Sequence, residues 1–193
     1  MNRAALDPNL MSLEDFEDLL ADAPEDERWE LISGRVVRMM VGAPWEHNRI
    51  IGNLNVALLT RFRGAGSPCR TLTETFRLKD EASPSSLLPD LLVYCTRPPA
   101  GATFLTDATV IVEVLSKGTA RRDREDKWAV YQTLPSLKHY VLVDRDRAHV
   151  ETIDRLDGAW SAFRISDGLE ARLALPGVGV EMPLSEIYAD LFE

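Results

Sequence analysis

The chain has 193 residues, 45% of them hydrophobic, and a formal net charge of −9. These proportions are typical of a single-domain globular protein and exclude the fibrous and disordered classes. No apolar run approaches the roughly 18 residues that cross a bilayer, and the first residues, MNRAALDPNL, contain no hydrophobic signal core, so we expect neither a membrane-spanning nor a secreted protein.

The first half of the chain alternates helical and extended patterns. A capping motif followed by apolar residues at helical spacing predicts a helix at about 12–21. Ser33-Gly34 stands between two apolar runs, which predicts a β-hairpin. A second helix is expected at about 46–63 because its apolar residues form one stripe. A strand at about 69–79 and a polar loop that contains residues 83–86 complete this half.

The second half is richer in buried strands. Continuous apolar runs predict strands covered on both faces at 91–95, 110–115 and 139–143. A helix is expected at about 121–133, and the remainder predicts antiparallel strands and a short last helix at about 184–191. The order of elements across 46–143 predicts an α/β core with one central mixed sheet.

Charge and cysteine content bear on partners and compartment. Residues 1–30 contain ten acids and two bases, whereas residues 35–79 contain eight bases and two acids. A local basic surface can face a polyanion because binding follows local potential, but an ordinary solvated surface explains the same pattern. Cys69 and Cys95 lie in apolar, strand-like segments, which predicts free buried thiols in a reducing cytoplasm.

Two carboxylates stand where a buried strand should be apolar. Asp90 precedes the run at 91–95, and Glu113 lies within the run at 110–115. A charged carboxylate in such a strand is costly unless it is paired, protonated or bound to a metal. If the two strands are neighbours, Asp90 and Glu113 converge and offer the oxygen ligands that Mg²⁺ prefers. A basic partner or a solvent-exposed strand end would explain either acid alone, whereas two such acids favour a site.

Lys127 is a candidate for charge stabilisation beside these carboxylates. On the predicted helix it shares a face with Tyr131 and Leu134, so its stem points inward and its ammonium could stabilise a phosphate or position a water. An i, i+4 ion pair with Asp123 is the simpler interpretation. His47, near a helix start, is more often a cap or a packed imidazole than a base. Phosphate-cradling glycine loops and the G-x-S-x-G elbow are missing, which argues against nucleotide-dependent and acyl-transfer chemistry.

The ordered set Pro89-Asp90, Glu113 and Lys127 resembles the PD-(D/E)xK nuclease superfamily and, more narrowly, the Uma-two family of restriction endonucleases. The matching segments run in family order over about residues 12–155. They are RWELISG at 28–34, EHNRIIG at 46–52, PDLLV at 89–93, VEVLS at 112–116, the segment 119–127 with Tyr131, and YVLVD at 140–144.

The resemblance implies a restriction-endonuclease-like fold, in which helices flank a central mixed β-sheet. We therefore expect a single domain over 1–193 with its core at about 46–144. An N-terminal helix and β-hairpin would occupy 12–41, and C-terminal antiparallel strands and a helix would occupy 145–193.

The resemblance also implies a Mg²⁺-dependent endodeoxyribonuclease in which Mn²⁺ can substitute. The metal would be held by Asp90, Glu113 and the carbonyl of Val114. The superfamily lysine is expected two residues after the glutamate, where this chain has Leu115. Lys127 on the following helix is therefore the candidate for its role. Glu30 and His47 match family positions and are further candidate catalytic residues.

Partners follow from the same resemblance. We expect DNA to contact the basic residues Arg49, Lys117, Arg121 and Arg122. A homodimer is expected because enzymes that cut both strands often pair two active sites, and the location is expected to be cytoplasmic, without membrane attachment.

Two alternatives compete with the nuclease. The unusual lysine position and the acidic net charge also suit a catalytically degenerate module that binds nucleic acid or protein. The carboxylates alone would equally suit a metal-dependent hydrolase of another phosphate ester. An ammonium of Lys127 within a few ångströms of the carboxylates would favour catalysis, whereas pairing with surface acids would favour the degenerate module.

Overall fold

The computed structural model describes residues 10–40 and 42–192. Within them the helices are α1 Leu13–Ala21, α2 Trp45–Gly64, α3 Ala120–Arg122, α4 Trp128–Tyr131 and α5 Leu184–Ile187. A π-helical turn, Asp123–Lys127, joins α3 to α4, and a 3₁₀ turn occupies Pro176–Val178. The predicted first helix is confirmed, and the side chain of Ser12 caps it by accepting a hydrogen bond from the backbone N–H of Asp15.

Fourteen strands are found in the same residues. They are β1 Glu27–Ile32, β2 Arg35–Met40, β3 Arg70–Thr73, β4 Arg77–Asp80, β5 Ser85–Leu87, β6 Leu91–Tyr94, β7 Phe104–Leu105, β8 Val110–Leu115, β9 His139–Asp144, β10 His149–Leu156, β11 Ala159–Trp160, β12 Arg164–Asp167, β13 Arg172–Leu175 and β14 Val180–Pro183. The main sheet has the order β11-β10-β9-β8-β6-β3, with β12 also paired to β10. A second sheet has the order β2-β1-β5-β4-β7, and β13 pairs with β14.

The main sheet is covered on both faces, as its apolar strands predict. Strand β8 lies at its centre, antiparallel to β6 and parallel to β9. Val112 and Val114 pack with α2 on one face, whereas Ile111 and Leu115 pack with α4 on the other. This alternation follows from the two-residue period of a strand. The predicted α/β fold with a mixed sheet flanked by helices is confirmed.

The prediction of a single strand at 69–79 and a polar loop at 83–86 is wrong. Glu74 has a positive φ of 48°, and the chain turns there from β3 in the main sheet to β4 in the second sheet. Ser85 and Ser86 are buried in β5. Their hydroxyl groups keep hydrogen bonds there, since Ser85 accepts one from the backbone N–H of Ser33 and Ser86 accepts one from the Arg77 side chain. The second sheet, in which β4 and β5 join the hairpin, was not predicted.

Two helices differ from their predicted bounds. The helix expected at 121–133 instead consists of two short α-helical segments, α3 and α4, joined by the π-helical turn. The helix expected at 184–191 ends at Ile187, and Asp190 has a left-handed backbone with φ of 67°. A left-handed residue cannot continue an α-helix, so the chain turns instead.

The prediction of free thiols is also wrong, because Cys69 and Cys95 form a disulfide. Antiparallel pairing places Arg70 opposite Tyr94, so the two cysteines meet one residue beyond the ladder. Paired cysteines give no reason to expect a reducing compartment, and the cytoplasmic location stays a prediction. None of the helices described is long and apolar enough to cross a bilayer.

The disulfide is expected to stabilise the fold measurably. It joins residues 26 apart, and closing a loop of that length is expected to raise the free energy of unfolding by about 3 kcal/mol. Urea unfolding with and without reductant measures this difference. A Cys69→Ala/Cys95→Ala variant is the control, since reductant should not change its midpoint. An unchanged midpoint for the wild type would contradict the prediction.

Candidate active site

Asp90 and Glu113 are brought together by the register of two neighbouring strands. Leu91 of β6 pairs with Val112 of β8, so the residues just outside this pair lie side by side. The Asp90 carboxylate accepts a hydrogen bond at Oδ2 from the backbone N–H of Val114, at 2.7 Å. Both acids line a cleft of about 780 Å³. The cleft is concave and connects these carboxylates to solvent.

Glu113 is almost completely buried on the floor of this cleft, with a side chain 2% exposed. Its Oε1 accepts hydrogen bonds from Lys127 Nζ at 3.0 Å and from the Tyr131 hydroxyl at 2.8 Å. Burial raises the pKa of the Glu113 carboxyl well above its ordinary value, and the positive charge of Lys127 only partly opposes this. A basic group is thus needed for Glu113 to be ionised.

Lys127 stands at the centre of a group of carboxylates. Its Nζ lies 3.0 Å from Glu113 Oε1, 3.2 Å from Glu30 Oε1 and 3.7 Å from Asp123 Oδ1. Burial lowers the pKa of the ammonium, but the negative charges of these three carboxylates and of Asp90 outweigh burial and raise it well above its ordinary value. Lys127 is therefore charged. The sequence predicted either an ion pair of Lys127 with Asp123 or a position beside Asp90 and Glu113. In the structure Lys127 pairs with both Asp123 and Glu113.

The π-helical turn explains why Asp123 and Lys127 both point inward. They are its first and last residues, and both are buried, whereas an exposed face would be usual for such charged side chains. π-Helical turns occur frequently at functional sites. Asp123 also lines the cleft. Asp123 was predicted only as an ion-pair partner of Lys127, and its i, i+4 spacing from that lysine is the signal that places it in the site.

Glu30 reaches the site from the second sheet. It lies in β1 and is completely buried. Its Oε1 accepts a hydrogen bond from the backbone N–H of Leu88 at 2.7 Å and faces Lys127. Its Oε2 is buried and has no hydrogen-bond partner in the part of the chain that the structure describes. Lys127 thus links the hairpin to the main sheet, because it forms ion pairs with Glu30 of β1 and Glu113 of β8.

His47 contacts Asp90 from the first turn of α2. Its Nε2 lies 3.2 Å from Asp90 Oδ2. Burial lowers the pKa of the imidazole, but the hydrogen bond and charge of Asp90 outweigh burial and raise it above the ordinary value. Pro44 is the helix cap, so His47 does not serve that purpose. The side chain instead fixes the Asp90 carboxylate.

The four residues predicted to contact DNA differ in their position relative to the cleft. Arg122 lines the cleft, Lys117 is exposed, and Arg121 is exposed and pairs with Glu125. Arg49 pairs with Asp190. All four stay predicted DNA contacts.

Three further arginines line the cleft and were missed: Arg28, Arg38 and Arg145. A signal existed for Arg145, which directly follows β9. Strand β9 is parallel to β8, and the carboxyl ends of parallel neighbours meet at one edge of the sheet. Arg28 and Arg38 come from the hairpin, whose position against the main sheet was not predicted.

Comparison with known proteins agrees with this architecture. The model of the Uma2 family, described as "Putative restriction endonuclease", matches residues 13–185. The uncharacterised protein sll1609 of Synechocystis sp. is 28% identical over 148 residues, which are 75% of this chain and 82% of that protein. A second uncharacterised Synechocystis protein, slr1290, is 25% identical over 169 residues, covering 86% and 85% of the two chains.

A solved structure shares the fold. The crystal structure of a "putative nuclease belonging to DUF820" from Anabaena variabilis superposes with a TM-score of 0.75 at 14% sequence identity, covering 93% of this chain and 98% of that one. At this identity the likeness establishes the restriction-endonuclease-like fold. Because the family model spans most of the chain, the protein belongs to the Uma2 family of restriction-endonuclease-like proteins.

Proposed function

We propose that the protein is a metal-dependent endonuclease that hydrolyses DNA phosphodiester bonds. One observation carries the proposal: the Lys127 ammonium lies 3.0 Å from Glu113, in the cleft that Asp90 also lines. Two acids and a lysine thus meet in one cleft, although Leu115 occupies the usual position of the lysine. Family membership supports nuclease activity. The dependence on a metal and the choice of DNA as substrate are proposed from the residues of the site.

The oxygen atoms of the site fit a hard divalent cation. Asp90 Oδ2 is fixed by Val114 and His47, which leaves Oδ1 for a metal. A strand residue directs its N–H and C=O to the same neighbour. The Val114 carbonyl therefore faces the same edge as its N–H, beyond the last β6 pair, which is at Val112. Glu113 offers Oε2, since its hydrogen bonds in the described structure go to Oε1.

This ligand set suits Mg²⁺, with Mn²⁺ as a substitute. The described residues contain no group of three or more His, Cys, Asp or Glu side chains arranged to hold a metal. A cation would therefore rest on two carboxylates, one backbone carbonyl and water. Mg²⁺ commonly keeps several waters and binds through one or two carboxylates together with a substrate phosphate. When bound, it would supply an acidified water and neutralise the scissile phosphate.

Lys127 has one donor available for the reaction. An ammonium carries three N–H groups, and two of them face Glu113 and Glu30 at 3.0 and 3.2 Å. The third faces Asp123 at 3.7 Å, which is too long for a hydrogen bond. That donor can turn to a phosphate oxygen or to the attacking water. Lys127 would thereby stabilise the negative charge that develops during cleavage.

Glu30 and His47 support this arrangement without contacting the reacting atoms. Glu30 holds Lys127 from the second sheet, and His47 holds Asp90 from α2. Arg28, Arg38 and Arg122, which line the cleft, would bind the backbone phosphates on either side of the scissile bond. A homodimer and a cytoplasmic location stay predictions.

The position of Lys127 favours catalysis over the degenerate alternative. In a module that had lost its chemistry, the ammonium would be free to pair with surface acids. Here its side chain is 5% exposed and its partners are the buried carboxylates of Glu30 and Glu113. A small phosphodiester such as bis-p-nitrophenyl phosphate, compared with plasmid, separates a nuclease from a hydrolase of other phosphate esters.

Removing either metal ligand is expected to abolish cleavage. Asp90→Asn and Glu113→Gln keep the shape of each side chain but weaken its hold on a cation. We expect both variants to nick supercoiled plasmid at least about 100-fold more slowly in Mg²⁺ or Mn²⁺, and to lose metal binding in isothermal titration. Asp126→Asn, an exposed acid next to Lys127, is the matched control. Full nicking by both variants would refute the assignment.

Removing the ammonium is expected to destabilise the fold in a pH-dependent way. Lys127→Met leaves buried carboxylates without their counter-charge, so the free energy of unfolding should fall by about 3 kcal/mol at pH 7.5. The pKa values of Glu113 and Asp123 are already raised by burial, so the folded state takes up protons before the unfolded state does as pH falls. Protonation relieves the unpaired charge, and the deficit should shrink at pH 5.5.

Urea unfolding at the two pH values measures this deficit. Lys138→Met, at an exposed lysine, is the control and should change stability little at either pH. A deficit of equal size at both pH values would show that the carboxylates do not depend on the ammonium.

A further inference from the structure

A second hollow adjoins the cleft. It has a volume of about 340 Å³ and shares Pro44 and Arg145 with the cleft, so the two lie side by side. Its other lining residues are Glu46, Asp146, Leu191 and Phe192. A strand whose phosphate lay over Asp90 and Glu113 would have its neighbouring nucleotide near this hollow.

The charges of the hollow are unsuited to a phosphate. Arg145 donates to both carboxylate oxygens of Asp146, at 2.8 and 3.3 Å. This hydrogen bonding, with the nearby carboxylates of Glu46 and Asp144, raises the pKa of Arg145 above its ordinary value. The guanidinium charge is therefore already balanced by acids. The remaining negative charge favours a ligand that donates hydrogen bonds.

The apolar part of the hollow is suited to a flat ring. Phe192 is 36% exposed, and its ring is packed against Tyr188 with centroids 5.4 Å apart. Leu191 and Pro44 add apolar surface. Trp45, which is 58% exposed, lies in sequence between two lining residues. Exposed aromatic rings of this kind stack with nucleobases in proteins that bind single strands.

We infer that the hollow is a subsite for an unpaired nucleobase with an exocyclic amino group, next to the phosphate held in the cleft. The amino group would donate to the Glu46 carboxylate while the ring stacks on Phe192. Cytosine offers an exocyclic donor at N4, whereas thymine has the acceptor O4 at the same position and its only donor at the ring atom N3. A base within a duplex is stacked and paired and would have to be flipped out to enter. The inference rests on the proposed function and narrows its substrate to single-stranded or locally unpaired DNA.

Binding of two short strands tests the subsite without any cleavage. Fluorescein-labelled dC10 and dT10 are titrated with the protein in EDTA, and anisotropy gives the Kd of each. We expect dC10 to bind about tenfold more tightly than dT10. Glu46→Ala should remove this preference, and Phe192→Ala should weaken both strands at least about fivefold. Glu170→Gln, an exposed acid outside both hollows, is the control and should keep the wild-type preference.

The outcomes separate this inference from the proposed function. Equal binding of dC10 and dT10 by the wild type, or a preference that survives Glu46→Ala, would overturn the subsite. Plasmid nicking together with equal binding would leave the nuclease assignment intact and reject only the subsite. A preference for dC10 in a protein that does not nick DNA would support the subsite and reject the cleavage.

Discussion

The ammonium of Lys127 is the interaction on which the rest of the site depends. It is the positive charge between the carboxylates of Glu113, Glu30 and Asp123, which come from the main sheet, the second sheet and its own helical turn. Burying one unpaired carboxylate is costly, and burying several close together is more so. The raised pKa values of Glu113 and Asp123 show that one ammonium does not fully offset them. The excess negative charge beside the cleft is what a divalent cation would neutralise.

The fold supplies these groups from distant parts of the sequence. The antiparallel pairing of β6 and β8 sets Asp90 beside Glu113, and the parallel pairing of β8 and β9 carries Arg145 to the same edge. The hairpin belongs to a second sheet, and Glu30 is the side chain by which it contacts Lys127. Leu115 packs in the core beside α4, and the lysine that contacts Glu113 comes instead from the following helical turn.

The sequence predicts the centre of the site better than its surroundings. Asp90 and Glu113 can be recognised because a charged carboxylate in an apolar strand is costly unless it is paired, protonated or bound to a metal. Lys127 can be recognised because it shares a helix face with apolar residues. The break at Glu74 leaves no comparable signal, since residues on both sides of it are equally extended. Ser85 and Ser86 look like a loop because their hydroxyl partners, Ser33 and Arg77, are not their neighbours in sequence. The disulfide depends on strand register, which two cysteines alone do not specify.

The most direct test of this account exchanges the position of the lysine. Metal-dependent plasmid nicking would be measured for the wild type, for Lys127→Met, and for the double variant Leu115→Lys/Lys127→Met. If Lys127 performs the role of the usual lysine, the single variant loses nicking and the double variant recovers a measurable part of it, because position 115 lies on the same face of β8 as Glu113. Wild-type nicking by Lys127→Met would contradict the account.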